Sequence, residues 1–573
     1  MKIYIYKILV LLLLIGSSCA ELDLVPLDAP TTAPFISTEQ FREGLNEGYR
    51  LFQWVKDESA NGVDDDFQRR DALDVIKAGT LNSENVGVGN RWSEKYKGIS
   101  RLISIKKQIE DQNGILSEND AKTFLGEADF FIASFWSYLI THYGDVPFFE
   151  EELSVDEAFE ISRTDKAVIL QKIYEYYDNA ITNLPVSYSG LQFATKGAAM
   201  AMKSRIALYM GDHAVAAEAA QDCMDLNEYE LHPSFGDLFL SGTKTSDELV
   251  FNIPRSDALG INRSDNLPDF LPRTHGGWGA KQPTWELLAS YECVDGLPID
   301  ESPLFDPRNP FKNRDPRCLA TIVPFGSLED GDGLFPSDGS RFMDIEYTPH
   351  PERLQVFNYA TNNMTSNNDT RTNQSFASFN GLLWKKFIDE TWKAPITAEN
   401  NHIVIRYADV LLMYAESKIE LGQIDQSVLG AINEVRDRAY AGSSLSNPTV
   451  TTTDQAELRY VVRNERRAEF ANEGLRYMDI IRWRLAEKVL TGNTYGMANI
   501  GSIIDNVVTP GLWFWGMTPE IDEDGVADFT PLVTAGLART LSETNFPDHQ
   551  YLWPIPAADV LLNPNLLPNN SGY

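Results

Sequence analysis

Of the residues in this 573-residue chain, the carboxylates of RNERRAEFANEGLRYMDIIRW, residues 463–483, are the most suggestive of chemistry. Glu465, Glu469 and Glu473 recur at every fourth position, so a helix lines them on one face. Two carboxylates held close together are what a retaining glycosidase needs. Arg466, Arg476, Asp479 and Arg482 surround them, and arginine neighbours lower a carboxylate pKa instead of raising it towards that of a general acid. The stripe therefore predicts a salt-bridge network holding helices in register, and no catalytic residue is assigned.

A second acidic run, EIDEDGVADF at 520–529, puts Glu520, Asp522 and Asp524 at positions 1, 3 and 5 of a calcium loop and Gly525 at position 6. Pro531 stands where the bidentate glutamate belongs, so the run predicts a solvated acidic loop and no metal site. HExxH, GxSxG and Walker sequences are absent and the seven histidines are scattered, so no enzyme and no cofactor are expected. Cys223, Cys293 and Cys318 cannot all pair with one another, and Cys223 falls in an apolar helical pattern as core.

Charge and the N-terminus set the environment. The formal net charge of −34 repels phosphate backbones and excludes nucleic acid as a partner. Lys2 and Lys7 precede the apolar run Ile8 to Ile15, too short to cross a bilayer, and then small residues lead to Cys19. This is the anatomy of a cleaved leader over 1–18, and its small residues directly before a cysteine resemble a bacterial lipobox. Cys19 is the expected lipid anchor, followed by a tether over 19–37. Losing the two lysines with the leader moves the formal charge from −34 to −36.

Helical patterns must position all of this. TKGAAMAMKSRIALYMGDHAVAAEAAQDCMDL, 195–226, reads as two amphipathic helices broken at Gly211-Asp212. IRYADVLLMYAESKIELGQIDQSVLGAINEVRDRA, 405–439, repeats the design around Gly422-Gln423. Further helices are predicted from Trp92 to Ile109, Asp120 to His142, Asp165 to Leu184 and Asp454 to Leu490. The fold class is all-α dominated, a tetratricopeptide-like scaffold of stacked helix pairs with long irregular loops. One body is expected over 38–573, with helical repeats mainly at 92–226 and 404–490, a loop-rich ligand region at 227–401 and a C-terminal loop segment at 491–573.

HYGDVPFF at 142–149, RDPRCLATIVPFG at 314–326, the 463–483 stretch and the closing YLWPIPAADVLLNPNLLPNNSGY together resemble the SusD/RagB family of outer-membrane nutrient-binding lipoproteins of Bacteroidetes. The motifs stand in the family's order over nearly the whole mature chain. The resemblance implies a surface-facing lipoprotein, tethered through Cys19 to the outer membrane, that passes oligosaccharides to a SusC-like TonB-dependent transporter. A peptide- or glycopeptide-binding protein of the RagB kind is the alternative within the family. A glycoside hydrolase on a helical scaffold is the alternative outside it.

Sugars offer apolar C–H faces edged by hydroxyls, so their sites combine exposed aromatic rings with planar polar groups. The family's ligand face, carried over by position, falls on DDDFQRRD at 64–71, GNRWSEKY at 89–96 and THGGWGAK at 274–281. Trp278, between glycines, is the leading ligand-binding candidate. Trp92 is the second candidate, with a place in the core as its alternative because it opens a helical pattern, and Asp65, Arg69, Asn90 and Tyr347 are the expected polar or stacking partners. Trp285, before the apolar run ELLASY, reads as structural.

Overall fold

The computed structural model describes residues 34–52, 62–70, 72–190, 193–262, 267–325, 341–392, 397–442 and 446–573. The leader, Cys19 and the tether up to residue 33 lie outside the described residues.

Ten helices carry the scaffold. The first six are α1 (Thr38–Leu51), α2 (Val86–Glu110), α3 (Glu118–Tyr143), α4 (Lys166–Asn183), α5 (Lys196–Tyr209) and α6 (His213–Asp225). After the loop-rich middle come α7 (Tyr407–Glu420), α8 (Gln426–Tyr440), α9 (Gln455–Phe470) and α10 (Arg476–Arg482). Their starts are chemically marked: Ser37, Asn85, Ser117, Thr195 and Asp454 each accept a backbone N–H of the first turn, which satisfies a donor the helix cannot. Gly211 and Gly422 adopt positive φ values of 79° and 68°, ending α5 and α7 where the two pairs turn. The pattern expected to run on from Asp454 to Leu490 is interrupted, because Asn472 and Gly474 take left-handed conformations at φ 63° and 81° that a helix cannot contain.

α3 is buried on every side from Gly126 to Tyr143, which makes it the centre of the scaffold. It packs against α2 and α4, and α6 packs against α5 and α7. Two glycines allow this close approach: a Cβ at Gly48 would lie 2.4 Å from Phe131, and one at Gly98 would lie 2.6 Å from Phe135. Among the described residues no helix is long and apolar enough to cross a membrane.

The loop-rich segments have their own core. Trp285, Trp384, Trp513 and Trp515 are each at most 1% exposed and belong to a second apolar cluster, distinct from that of the helices. Trp285 donates its Nε1–H to the Asn380 carbonyl at 2.8 Å, in keeping with the structural role expected of it. Short antiparallel strands stitch these loops together: 67–69 with 281–283, 249–253 with 402–406, and 492–497 with 538–544. Cys223, Cys293 and Cys318 are buried and free.

Candidate functional site

The carboxylate stripe is sealed inside the protein. Glu465, Glu469 and Glu473 lie in and just after α9 and are 1%, 0% and 9% exposed. Glu469 accepts from Arg406 at 2.7 Å, from Arg317 at 3.0 Å and from Arg438. Glu465 pairs with Arg436 at 2.8 Å, and Glu473 with Lys386 at 2.6 Å and Arg406 at 2.7 Å. Burial opposes ionisation of Glu469, but Arg438, Arg406 and Arg317 outweigh it and hold its pKa well below the usual carboxylate range. A carboxylate so held, with no solvent access, is neither a general acid nor a nucleophile for an external sugar.

Asp65 belongs to a related knot and not to a ligand surface. It is 7% exposed and takes two hydrogen bonds from Arg476, at 2.8 and 2.7 Å, and one from Arg467 at 3.0 Å. Asp66 takes the Nε–H of Arg467 at 2.8 Å. The polar run at 64–66 is therefore committed to the inside, where Asp65 and Asp66 meet arginines of α9 and α10 and Asp64 accepts the Asp66 N–H at 3.0 Å.

The acidic loop at 520–529 is a turn between short antiparallel strands. Lys488 Nζ lies 2.9 Å from Asp522 and 2.5 Å from Asp524, so a lysine occupies the place a cation would take. Among the described residues no cluster of His, Cys, Asp and Glu is arranged to hold a metal ion.

Two further candidates are corrected. Trp92 is 3% exposed and packs in α2 against Tyr96 and Tyr143, with ring centroids 4.8 and 5.0 Å away. Its apolar neighbours α2 and α3 supply more contact than a solvated surface can, so the indole is core. Tyr347 is 2% exposed, and its hydroxyl donates to the Gly381 carbonyl at 2.8 Å, which spends its polar tip internally. Arg69 and Asn90 are exposed. Arg69 pairs with Lys281 on the strand over 281–283, which brings it close in space to the Trp278 loop that precedes that strand. Asn90 lies on α2, a separate element.

Trp278 is 54% exposed, and the loop beneath it is rigidly bonded. Its own N–H donates to the Pro268 carbonyl at 2.6 Å, while Gly277 and Gly279 donate to Pro272 and Leu271 at 2.9 Å each. A Cβ on Gly277 would lie 2.3 Å from the Leu271 carbonyl oxygen, and Gly276 and Gly279 have φ values of 88° and 52°. The glycines thus fold the chain back under the indole and leave its face bare. Asp369 braces the loop from outside by accepting the N–H groups of Arg273 at 2.7 Å and Thr274 at 3.1 Å.

A second bare ring stands beside it. Phe376 is 63% exposed, and Arg70 Nη1 donates both to its carbonyl and to the Trp278 carbonyl, the latter at 2.6 Å. One guanidinium therefore fixes the backbones under two exposed aromatic side chains. Phe376 was not among the sequence candidates; the available signal is a lone aromatic within the polar run TNQSFAS. A groove of about 1900 Å³ lies elsewhere, between α1, α2 and the C-terminal residues 559–566, and includes neither ring.

Residues 248–573 match the model of the SusD family, residues 39–208 match a model described as starch-binding associating with the outer membrane, and the chain belongs to the SusD family. The SusD-like protein P2 of Formosa agariphila is 23% identical over 599 residues, covering 100% of both chains. Its SusD-like protein P25 is 22% identical over 502 residues, 86% of this chain and 81% of that one. A SusD-like carbohydrate-binding protein from Bacteroides fragilis superposes with a TM-score of 0.75 at 28% identity, over 93% of this chain and 99% of that chain. A laminarin-binding SusD-like protein shares the fold, with a TM-score of 0.61 at 18% identity over 94% of this chain and 100% of that chain.

Proposed function

We propose that this protein is a cell-surface glycan-binding lipoprotein that captures oligosaccharides and delivers them, without chemistry, to a SusC-like TonB-dependent transporter. The observation that carries the reading is the pair of exposed rings, Trp278 and Phe376, fixed through Arg70. An indole face held open on a rigid loop offers a sugar its C–H partner at little ordering cost. Arg69, on the neighbouring strand, supplies a planar polar group at the rim. Cys19 anchors the body to the outer membrane. The groove beside Phe35 and Ile36 then lies at the end of the body that follows the tether, the end suited to face a transporter.

Calorimetry with a panel of soluble oligosaccharides tests the reading. Binding that is lost in Trp278→Ala and Phe376→Ala, with no new reducing ends released from the ligand, is the expected result. Binding of peptides alone would move the protein to the RagB kind, and release of reducing ends would make it a hydrolase.

A further inference from the structure

We infer that the oligosaccharide is anionic, its carboxylate or sulfate groups being received by Arg371 and Arg539 beside the aromatic pair. This rests on the glycan reading above and adds the charge of the ligand to it.

The chain holds 83 acidic residues against 49 basic ones, so an arginine here has carboxylates in abundance to pair with. Six of those in the interior do pair: Arg317, Arg406, Arg436, Arg438, Arg466 and Arg476 each touch at least one carboxylate, and buried Arg314 is satisfied instead by the carbonyls of Pro310, Leu288 and Tyr291. Arg371 and Arg539 do not, since neither has a carboxylate oxygen within 4.0 Å among the described residues. Both guanidinium carbons lie 5.4 Å from the centroid of one ring, that of Phe379. Arg371 Nη1 donates to the Ala498 carbonyl at 3.1 Å and Arg539 Nη1 to the next residue, Asn499, at 2.9 Å. The two cations thus gather about one ring, each held among the described residues by a single neutral acceptor, and the Nε of each is without one.

Holding two like charges together and partly out of water is unfavourable unless something compensates. Burial and the nearness of Arg539 lower the Arg371 pKa to about 10, and burial lowers that of Arg539, the direction expected when no counter-charge is present. Both still carry their charge at neutral pH. An anionic group on the ligand would supply the missing partner, and planar guanidinium donors match carboxylate and sulfate oxygens well.

The arginines adjoin the aromatic pair through one stretch of chain. Arg371, Phe376 and Phe379 belong to the loop that follows Asp369, and Asp369 braces the Trp278 loop. An extended oligosaccharide that stacks on the two rings and continues along this loop meets the two cations.

The test uses three oligosaccharides of matched length: a neutral one, an oligouronate and a sulfated one. Titration calorimetry of the full mature protein is run at about 50 and 500 mM NaCl. The expected result is at least tenfold tighter binding of one charged ligand than of the neutral one, with that advantage shrinking severalfold at high salt. Which charged ligand wins distinguishes carboxylate from sulfate. Arg371→Gln and Arg539→Gln should remove the advantage while Arg371→Lys retains part of it, and melting curves verify that each variant is folded; the Arg539 variant serves if Arg371→Gln is not. Neutral ligand bound as tightly as both charged ones, and still dependent on Trp278, would overturn this inference and leave the glycan reading standing. A charge preference that survives in both glutamine variants would also overturn it. No binding of any of the three would overturn both.

Discussion

Asp65 and Arg476 meet in a bidentate ion pair, Nε and Nη2 lying 2.8 and 2.7 Å from the two carboxylate oxygens, across 411 residues of sequence. Both groups are buried. The pair clamps the segment after α1 to the start of α10, joining the first and last parts of the scaffold. Breaking one side of such a pair leaves an uncompensated buried charge, at about 3 to 5 kcal/mol. Asp65→Ala is therefore expected to lower the melting temperature sharply. Glycan affinity, measured below the new transition, should stay within about twofold of wild type, and a large loss of affinity in a folded variant would return Asp65 to the ligand face.

Glu469→Gln is expected to act in the same way, because it removes the charge that Arg317, Arg406 and Arg438 share. Its effect depends on pH. Glu469 has its pKa depressed in the folded state, so its stabilisation is present above the unfolded value near 4.5 and is lost as pH falls below it. Glu416, lowered to about 2 chiefly by Arg482 against the opposing effect of burial, adds stability lost over the same acid range. Acid titrations of wild type and variant should converge as the pH drops towards 2. Parallel curves down to that pH would show that Glu469 contributes nothing through its charge.

Asp64 carries the opposite sign. Burial, with Asp66 and Asp65 nearby, raises its pKa from 3.8 to about 7. Between those values the folded state keeps a proton that the unfolded state has released, so stability falls as pH rises from about 4 to about 7 and then levels. Asp64→Asn keeps an acceptor for the Asp66 N–H, bonded at 3.0 Å in the native protein, and has no proton to lose. Melting temperatures across that window should show a flatter slope in the variant and a gain over wild type near pH 8. An unchanged slope would mean that Asp64 is not the titrating group.

Trp278→Ala and Trp92→Ala should behave as opposites. Removal of the exposed indole is expected to weaken glycan binding by about 2 kcal/mol, roughly thirtyfold, with little change in melting. Removal of the buried one should cost about 3 to 5 kcal/mol of stability. Calorimetry and melting curves on the two variants check both. A large fall in melting temperature for Trp278→Ala would place that indole in the core.

Cys19→Ala is expected to release the protein from the membrane fraction, since stable anchoring needs acyl chains attached at that thiol. Fractionation after a carbonate wash gives the measurement, and a variant that stays with the outer membrane would remove the lipid anchor from the proposal.

The helical scaffold was legible in the sequence because its signals are local. Apolar period, Ser, Asn and Asp at helix starts, and Gly211 and Gly422 at turns all act within a few residues, and the observed helix ends follow them. The glutamate stripe was legible for the same reason: spacing puts it on one face, and its arginine neighbours fix the sign of the pKa shift. Its partners Arg317, Arg406 and Arg438 were not named, because they arrive from other helices and loops. Asp65 and Trp278 show the limit most clearly. Both stand in short polar stretches between glycines and charges, yet one is drawn inside by arginines hundreds of residues away and the other is held out by a turn beneath it. Whether a polar or aromatic side chain is buried depends on what packs over it, and that is decided by long-range contacts which local residue order does not encode. The same holds for Phe376, tied to the Trp278 loop through Arg70, and for the two arginines that gather at Phe379 only when the chain is folded.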